Sequence, residues 1–400
     1  MVGEPSTLTR PADQAAVTEE IQTPAFVFDE GELKRASRLC GRLARASDSK
    51  LLYSLKACSV PAVVGILTNA VDGFACSSLF ELLLAEQVRA TANLTLHYTS
   101  PGTRDIDFDA ITDISDYISF NSIGQWRRLG PMFARKCSYG LRINPGTAFV
   151  SDARYDPGRQ ECKLGAPSFL VAELLRRDRR DLKGLHIHNN CDSVDLRQLA
   201  TTMDLLESDL GSLLERLQWV NLGGGYILGE ADHSEGAVSK ILQLRERYGL
   251  TVFLEPGAAF VRSAGTLVAS VVDLITTCEP PIAILDASVN HWPEVFEFQF
   301  SPDVVEDSEE ACFEYSLAGS TCLAGDLFGQ YAFSEPLAIG SVVRFANAGA
   351  YSIVKSNFFN GINLPSVYLR GDDGRLCVVR EYTYHDFIGR QGGPKAHDPH

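Results

Sequence analysis

The chain of 400 residues is 45% hydrophobic and 22% charged, enough apolar material for two domains with cores of their own. Its formal net charge of −15 argues against a phosphate-backbone partner and against an anionic membrane surface, and leans toward a cationic small molecule. No apolar run is long enough to span a bilayer, residues 1–13 lack a secretory core, and the 10 cysteines follow no metal-ligand spacing, so reduced thiols in a cytoplasmic protein without a metal site are expected.

Residues 1–20 and the Gly/Pro/His tail 389–400 are expected to be disordered. Residues 24–29 (Pro-Ala-Phe-Val-Phe-Asp) predict a strand and 32–46 a helix. From residue 50 to about 264, short apolar runs ending in Gly, Ser, Asn or His alternate with segments of helical period. The runs lie at 50–56, 71–75, 94–98, 116–121, 138–143, 183–188, 218–223 and 251–255, with amphipathic stretches such as 78–89 and 196–217 between them. Ser78-Leu-Phe-Glu81 has the form of a capping box. Eight strand–helix units predict a (β/α)8 barrel. An open doubly wound sheet is the alternative, but no Gly-x-Gly-x-x-Gly follows the first strand. After residue 265, Val/Leu/Phe/Ile-rich runs at 266–274, 283–285, 342–346 and 376–380 are broken by Gly, Pro and Asp, which predicts an all-β second domain into which 24–29 pairs. The expected division is a barrel over 47–264 and a β domain from 22–46, including the lead-in helix, plus 265–388.

In a barrel, chemistry collects at the carboxyl ends of the strands. Lys56, Ser77, Asn121, Arg142, His188, Gly223 to Gly225 and Glu255 all fall there. Lys56 ends the run Lys50-Leu-Leu-Tyr-Ser-Leu-Lys56, and a buried amine with a lowered pKa can attack a carbonyl and hold it as a Schiff base. Gly223-Gly224-Gly225 after a strand offers bare amides to a phosphate, or makes a tight turn. Glu255, in Leu254-Glu255-Pro256-Gly257, can hold a protonated ring nitrogen or pair with an arginine. His186 and His188 share a strand face, and one of them can stack on a flat cofactor or sit in the core. Arg142 must find a phosphate, a ring edge or a carboxylate. Together these residue types specify pyridoxal phosphate, with the lysine as covalent anchor and the carboxylate keeping the pyridine nitrogen protonated. In the β domain, Cys322 lies on a loop of small residues (Gly319-Ser-Thr-Cys322-Leu-Ala-Gly-Asp326), a proton donor or a buried small hydrophobe, and Tyr351 offers a phenol that closes on a phosphate or packs.

The order Thr23-Pro-Ala-Phe, Tyr53-Ser-Leu-Lys56-Ala, His188, Gly223-Gly-Gly, Glu255-Pro-Gly, Cys322, Gly349-Ala-Tyr351 resembles the fold-type III pyridoxal-phosphate decarboxylases, over about residues 22–388. Within that group the pattern is most similar to carboxynorspermidine (carboxyspermidine) decarboxylase. The strings that carry this are Val71-Asp-Gly-Phe-Ala-Cys-Ser-Ser-Leu-Phe-Glu81, Gly184-Leu-His-Ile-His-Asn-Asn-Cys, Leu285-Asp-Ala-Ser288, His291-x-Pro293-x-Val295, Thr321-Cys-Leu-Ala-Gly-Asp326 and Phe359-Asn-Gly-Ile362. The resemblance implies an alanine-racemase-like (β/α)8 TIM barrel with a carboxyl-terminal all-β domain. It implies a lyase of polyamine (spermidine) biosynthesis that removes the α-carboxylate of a carboxylated polyamine. It further implies that Lys56 carries the cofactor, His188 stacks on its ring, Glu255 pairs with the pyridine nitrogen, Gly223, Gly224, Gly225 and Tyr351 bind the phosphate, and Arg142 lies near the ring. Cys322 and Asp326 would reach the site of a second subunit in a homodimer, Cys322 to protonate the product carbon, and Asp286 would meet a distal amine of the substrate.

Some positions depart from the related decarboxylases. Ala258 stands where ornithine-type enzymes have an arginine after Glu-Pro-Gly, and Leu323 where they have an acid after the cysteine. Both argue against a simple ornithine, arginine or diaminopimelate decarboxylase. Val289-Asn290-His291-Trp292 and the acidic stretch 301–310 also differ, which leaves room for a pathway-specific decarboxylase of another basic amino acid. A non-catalytic regulatory homologue and an amino-acid racemase are further alternatives. The set Lys56, His188, Glu255 and Cys322 speaks against the first, and the string around Cys322 against the second.

Overall fold

A computed structural model describes residues 17–393, apart from 19, 90–92, 133–136, 151, 160, 178–181, 232–233 and 309. The chain divides into two compact units, Lys34–Phe260 and the remainder, Met1–Leu33 with Val261–His400.

In the first unit eight parallel strands close on themselves. Barrel strands one to eight are Lys50–Ser54, Gly73–Cys76, Thr95–Ser100, Tyr117–Phe120, Ser138–Asn144, Gly184–Ile187, Trp219–Asn221 and Thr251–Leu254, and the eighth pairs back onto the first. Each coincides with one of the eight apolar runs, and the closure rules out an open sheet. The helices between them start where side chains satisfy the first free amides. Ser78 Oγ accepts from Glu81 N (3.1 Å) at the head of Leu79–Arg89, while the Glu81 carboxylate accepts from Ser77 N (2.6 Å). Ser122 and Gln125 repeat the device at Ile123–Leu129, with Gln125 Oε1 reaching back to Asn121 N (2.6 Å). The amphipathic stretch 196–217 forms Arg197–Leu210 and then breaks at Gly211, whose φ is +51°, into a 3-10 segment.

The barrel interior has an apolar floor of Leu52, Ala75, Trp219 and Phe253, with Tyr117 packed against it. His97 stacks on Tyr117 (4.3 Å) and meets the edge of Phe253 (4.7 Å). The Trp219 indole fills the space under strands five and six. A Cβ at Gly184 would lie 2.0 Å from its ring and one at Gly140 2.4 Å from it, so both positions require glycine. Side chains alternate along a strand, so the residues two places on face the same interior one layer higher. From the floor positions and the two glycines these are Ser54, Ser77, Asn221, Glu255, Arg142 and His186. The polar layer is thus set by the register of the apolar one.

The second unit holds a nine-stranded sheet in the order Val17–Thr18, Leu376–Arg380, Ser366–Arg370, Ala25–Asp29, Gly265–Ile275, Ile282–Leu285, Phe313–Ala318 and Leu327–Phe333, with Val342–Phe345 also paired to Gly265–Ile275. Ala25–Asp29 joins this sheet, as expected, between Gly265–Ile275 and Ser366–Arg370. Val17–Thr18 is a strand although it falls in the segment expected to be disordered; residues 1–16 and 394–400 lie outside the described residues. The expected all-β region also carries two short helices, Glu294–Phe298 and Tyr384–Arg390. The acidic stretch 301–310 latches onto the sheet. Glu306 pairs with Arg344 (2.5 Å), Asp303 accepts from Asn347 Nδ2 (3.1 Å) and Asp307 from Ala332 N (2.8 Å).

Gly184→Ala is expected to lower the unfolding free energy by about 1–3 kcal/mol, because the new methyl overlaps the Trp219 ring inside a closed barrel. Chemical denaturation measures this, and an unchanged midpoint would contradict the account of the floor.

Candidate active site

Glu255 sits just past strand eight, 9% exposed at the centre of the polar layer. Asn221 Nδ2 donates to its Oε1 (2.6 Å), and His186 Nε2 lies 3.2 Å from its Oε2. Burial raises the carboxyl pKa, but the imidazoles around it, His186 above all with its hydrogen bond, outweigh that and hold Glu255 well below the usual carboxylate range. The same burial depresses His186 and His188, and drives His97 down to about 3. The arrangement is therefore one buried, hydrogen-bonded carboxylate among imidazoles whose protonation burial disfavours.

His188 is half-buried, and its Nδ1 accepts from Gly224 N (3.0 Å). That bond fixes the proton on Nε2 and would be lost on protonation. Arg142 is buried and donates from one terminal nitrogen to His188 O (3.3 Å), while its Nε finds no partner. His186 Nδ1 is likewise buried and unpartnered.

Lys56 corrects its expected setting in two ways. Strand one ends at Ser54, and Lys56 lies on the one-turn 3-10 helix Leu55–Ala57 that follows. Its side chain is exposed, opening into a cavity lined also by Ser54, Cys76, Ser77, His188 and Glu255. Protein surrounds the cavity, and this desolvation lowers the ammonium pKa; Glu255 opposes the shift and Arg142 reinforces it. Because water still reaches the chain, the shift is smaller than for a sealed lysine.

The glycine turn also differs from a bare phosphate cradle. Gly223 N donates to Asn221 Oδ1 (2.9 Å) and Gly224 N to His188, so two of the three amides are engaged. All three glycines have a packing cause: a Cβ would lie 2.3 Å from Ile187 O at Gly223, 2.2 Å from Glu255 O at Gly224, and 2.1 Å from Asn190 O at Gly225. The Gly225 amide is the one left for a ligand. Asn121 serves the loop after strand five, donating to Lys163 O (2.7 Å) and accepting from Gly165 N (3.0 Å).

The remaining expected residues lie in the sheet unit. Cys322 is an exposed free thiol whose backbone N donates to Asn360 Oδ1 (2.7 Å). Asp326, expected to bind substrate, turns inward. It is 2% exposed, and its carboxylate accepts from Val289 N (2.8 Å), Thr321 N (3.1 Å) and the Thr321 hydroxyl. It organises the Cys322 loop and ties it to the 289–292 segment, where buried His291 is pushed down to about 4 by desolvation. Asp286 is half-buried, accepts from Ser270 N (2.9 Å), and is raised by burial. Tyr351 is half-buried with φ +54°. Asn221 and His97 escaped the sequence reading, because a single polar residue inside a strand carries no pattern; the two-residue step from the floor would have found Asn221.

Among the described residues no cluster of His, Cys, Asp or Glu is placed to hold a metal ion, and no helix is long and apolar enough to cross a membrane. The barrel mouth instead offers an amine, an ionised carboxylate in neutral hydrogen bonds, a neutral imidazole of fixed tautomer, and unpartnered buried atoms on Arg142 and His186. This donor set fits an aromatic aldehyde cofactor with a basic ring nitrogen.

A closed barrel with such a mouth, joined to a sheet unit, is the architecture of fold-type III pyridoxal enzymes. The family model described as "Pyridoxal-dependent decarboxylase, C-terminal sheet domain" matches residues 25–349. The chain is 32% identical to a carboxynorspermidine/carboxyspermidine decarboxylase of Herminiimonas arsenicoxydans, covering 92% of this chain and 99% of that one. It is 31% identical to a carboxyaminopropylagmatine decarboxylase of Synechocystis sp., covering 93% and 96%. The solved structure of Campylobacter jejuni carboxynorspermidine decarboxylase complexed with norspermidine superposes with a TM-score of 0.83 at 31% identity, covering 92% and 100%. The chain belongs to the pyridoxal-dependent decarboxylase family.

Two outcomes follow from the buried groups. His97 is pushed down to about 3 from 6.5, so between those values the unfolded chain binds a proton that the folded chain refuses. Its contribution is intact above about pH 6.5 and falls by up to about 1.4 kcal/mol per pH unit below it. His97→Phe, which keeps a ring on Tyr117, is expected to flatten the acid limb of a stability–pH curve; an unaltered slope would show that His97 is not the source. Asp326→Ala is expected to cost about 1–3 kcal/mol and to speed alkylation of Cys322, read by peptide mass spectrometry. An unchanged alkylation rate would separate Asp326 from the loop.

Proposed function

We propose that this chain removes the α-carboxylate of a carboxylated polyamine, carboxynorspermidine or carboxyspermidine, with pyridoxal 5'-phosphate as cofactor. The observation that carries this reading is the near full-length kinship to decarboxylases of such amines, combined with a barrel mouth whose donor set suits the cofactor. Ala258 and Leu323 also stand where ornithine-type enzymes have an arginine and an acid.

In this reading Lys56 would be the covalent anchor, the Glu255 carboxylate would accept a hydrogen bond from the protonated ring nitrogen and keep it protonated, His188 would stack on the ring, and Gly225 N with Tyr351 would hold the phosphate. Pyridoxal phosphate supplies an electron sink for the pair left behind when CO2 departs. Glu255 keeps its charge for the ring nitrogen because its hydrogen-bond donors are neutral. The lowered pKa of Lys56 gives it free-amine character for exchange with a substrate amine and lets it return a proton at Nζ. Neutral His188 adds no charge against the ring. Cys322 of the partner subunit delivers the proton to the product carbon, which makes the active unit a homodimer; what supports this is an exposed thiol on a loop braced by Asp326 and Asn360. Asp286 meets a distal amine of the substrate. That none of the ten cysteines is in a disulfide supports a cytoplasmic setting.

A second reading, favoured by the 31% identity to the Synechocystis enzyme, is decarboxylation of carboxyaminopropylagmatine. CO2 release with mass identification of the amine decides between them, using carboxynorspermidine, carboxyspermidine, carboxyaminopropylagmatine, meso-diaminopimelate and ornithine. Turnover of a carboxylated polyamine is expected, none with Lys56→Ala, and a loss of about 10²-fold or more with Cys322→Ala. Co-assembling the two variants is expected to restore about one quarter of wild-type activity through mixed dimers with one intact site. No restoration would refute shared sites, and exclusive turnover of diaminopimelate or ornithine would refute the substrate class.

A further inference from the structure

We infer that Asn221 is a positioning residue that locks the ring-nitrogen carboxylate, Glu255, to the glycine turn, so that the two ends of the cofactor cradle move as one body. This rests on the reading of Glu255 and the glycine turn given above. Asn221 is 2% exposed and ends strand seven, in register with His186 on strand six and Phe253 on strand eight. Its Nδ2 donates to Glu255 Oε1 at 2.6 Å and its Oδ1 accepts from Gly223 N at 2.9 Å. The amide orientation is dictated by these partners, since a carboxylate needs the NH2 and a backbone N–H needs the oxygen.

The turn it holds has little other freedom. Glu255 N donates to Gly223 O (2.7 Å) and Leu222 N to Phe253 O (2.9 Å), so strand eight grips the turn through its backbone while Asn221 grips it through one side chain. A shift of Glu255 is therefore transmitted to Gly223 by two routes, and Gly224 follows because its amide is tied to His188. A neutral amide suits this position: it grips the carboxylate without spending its charge. An aspartate there would set two carboxylates within hydrogen-bond distance, and they would share one proton. The titratable groups facing Glu255 are His186, His188, His97, Lys56, Arg142 and Cys76.

The test uses full-length apoprotein titrated with pyridoxal phosphate, with thermal unfolding of the apoprotein as a separate readout. Asn221→Leu, similar in size but unable to make either bond, is expected to stay folded and bind the cofactor at least about tenfold more weakly. Asn221→Asp keeps the Gly223 bond and, by the shared proton, the Glu255 bond. It is expected to restore most of the affinity near pH 6 and to lose it toward about pH 8, relative to wild type, as that proton leaves. Wild-type affinity in a folded leucine variant, or an aspartate variant no better than leucine, would overturn the inference. Should the leucine variant not fold, the aspartate variant decides alone: a pH dependence identical to wild type overturns it. Failure of wild-type apoprotein itself to bind would instead refute the cofactor reading on which it rests.

Discussion

A carboxylate kept ionised inside a protein is costly unless its oxygens are hydrogen-bonded. Glu255 meets that condition with two neutral donors, Asn221 and His186, rather than with an ion pair. An arginine partner would stabilise the charge and also neutralise it. Neutral donors stabilise it and leave its charge uncompensated, open to a cationic group. The depressed histidines follow from the same need. His97, His186 and His188 crowd one site, and desolvation keeps each imidazole uncharged so that none competes for the carboxylate. The cations that remain, Lys56 and Arg142, act on Glu255 through space.

That polar layer is held in place by the apolar one beneath it. Trp219 occupies the space that side chains at positions 140 and 184 would need, and those glycines let strands five and six approach it. Two residues further along the same strands stand Arg142 and His186, and two beyond Trp219 and Phe253 stand Asn221 and Glu255. A slip of one residue in any strand would turn a site residue out of the barrel. The floor is thus a register device as well as a core.

Much of this was legible in the sequence, for identifiable reasons. Buried parallel strands are continuous apolar runs, so all eight were found at their places. Glu255, His188 and Arg142 were legible because chemistry-bearing residues at strand ends stand out against such runs. Asn221 and His97 were not, since one polar residue within a strand resembles noise until the layer it belongs to is known. Orientation was the harder matter. Asp326 lies in the same short loop as Cys322, yet one side chain points inward to three donors and the other lies at the surface, and no spacing rule distinguishes them. Lys56 sat one turn beyond its strand because Leu55–Ala57 adopts a 3-10 turn where the apolar pattern ran on without a break. The glycines carry a second cause that the sequence does not separate from the first: close backbone approach requires all three whether or not a ligand meets their amides.

The charge balance of the barrel mouth bears on which charged groups it can receive. The cavity beside Lys56 is lined by one carboxylate, Glu255, and by two basic side chains, Lys56 and Arg142. Glu255 accepts one hydrogen bond at each oxygen, so two cations face one hydrogen-bonded carboxylate and the lining suits an anionic group better than a further ammonium. The acidic stretch 301–310 is a poor source of free carboxylate, because Asp303, Glu306 and Asp307 are spent on latching the sheet. Asp286 differs from the exposed Asp303 and Asp307 in being half-buried. Burial raises its pKa, and a carboxyl so raised gains more from an arriving ammonium than one already satisfied by solvent.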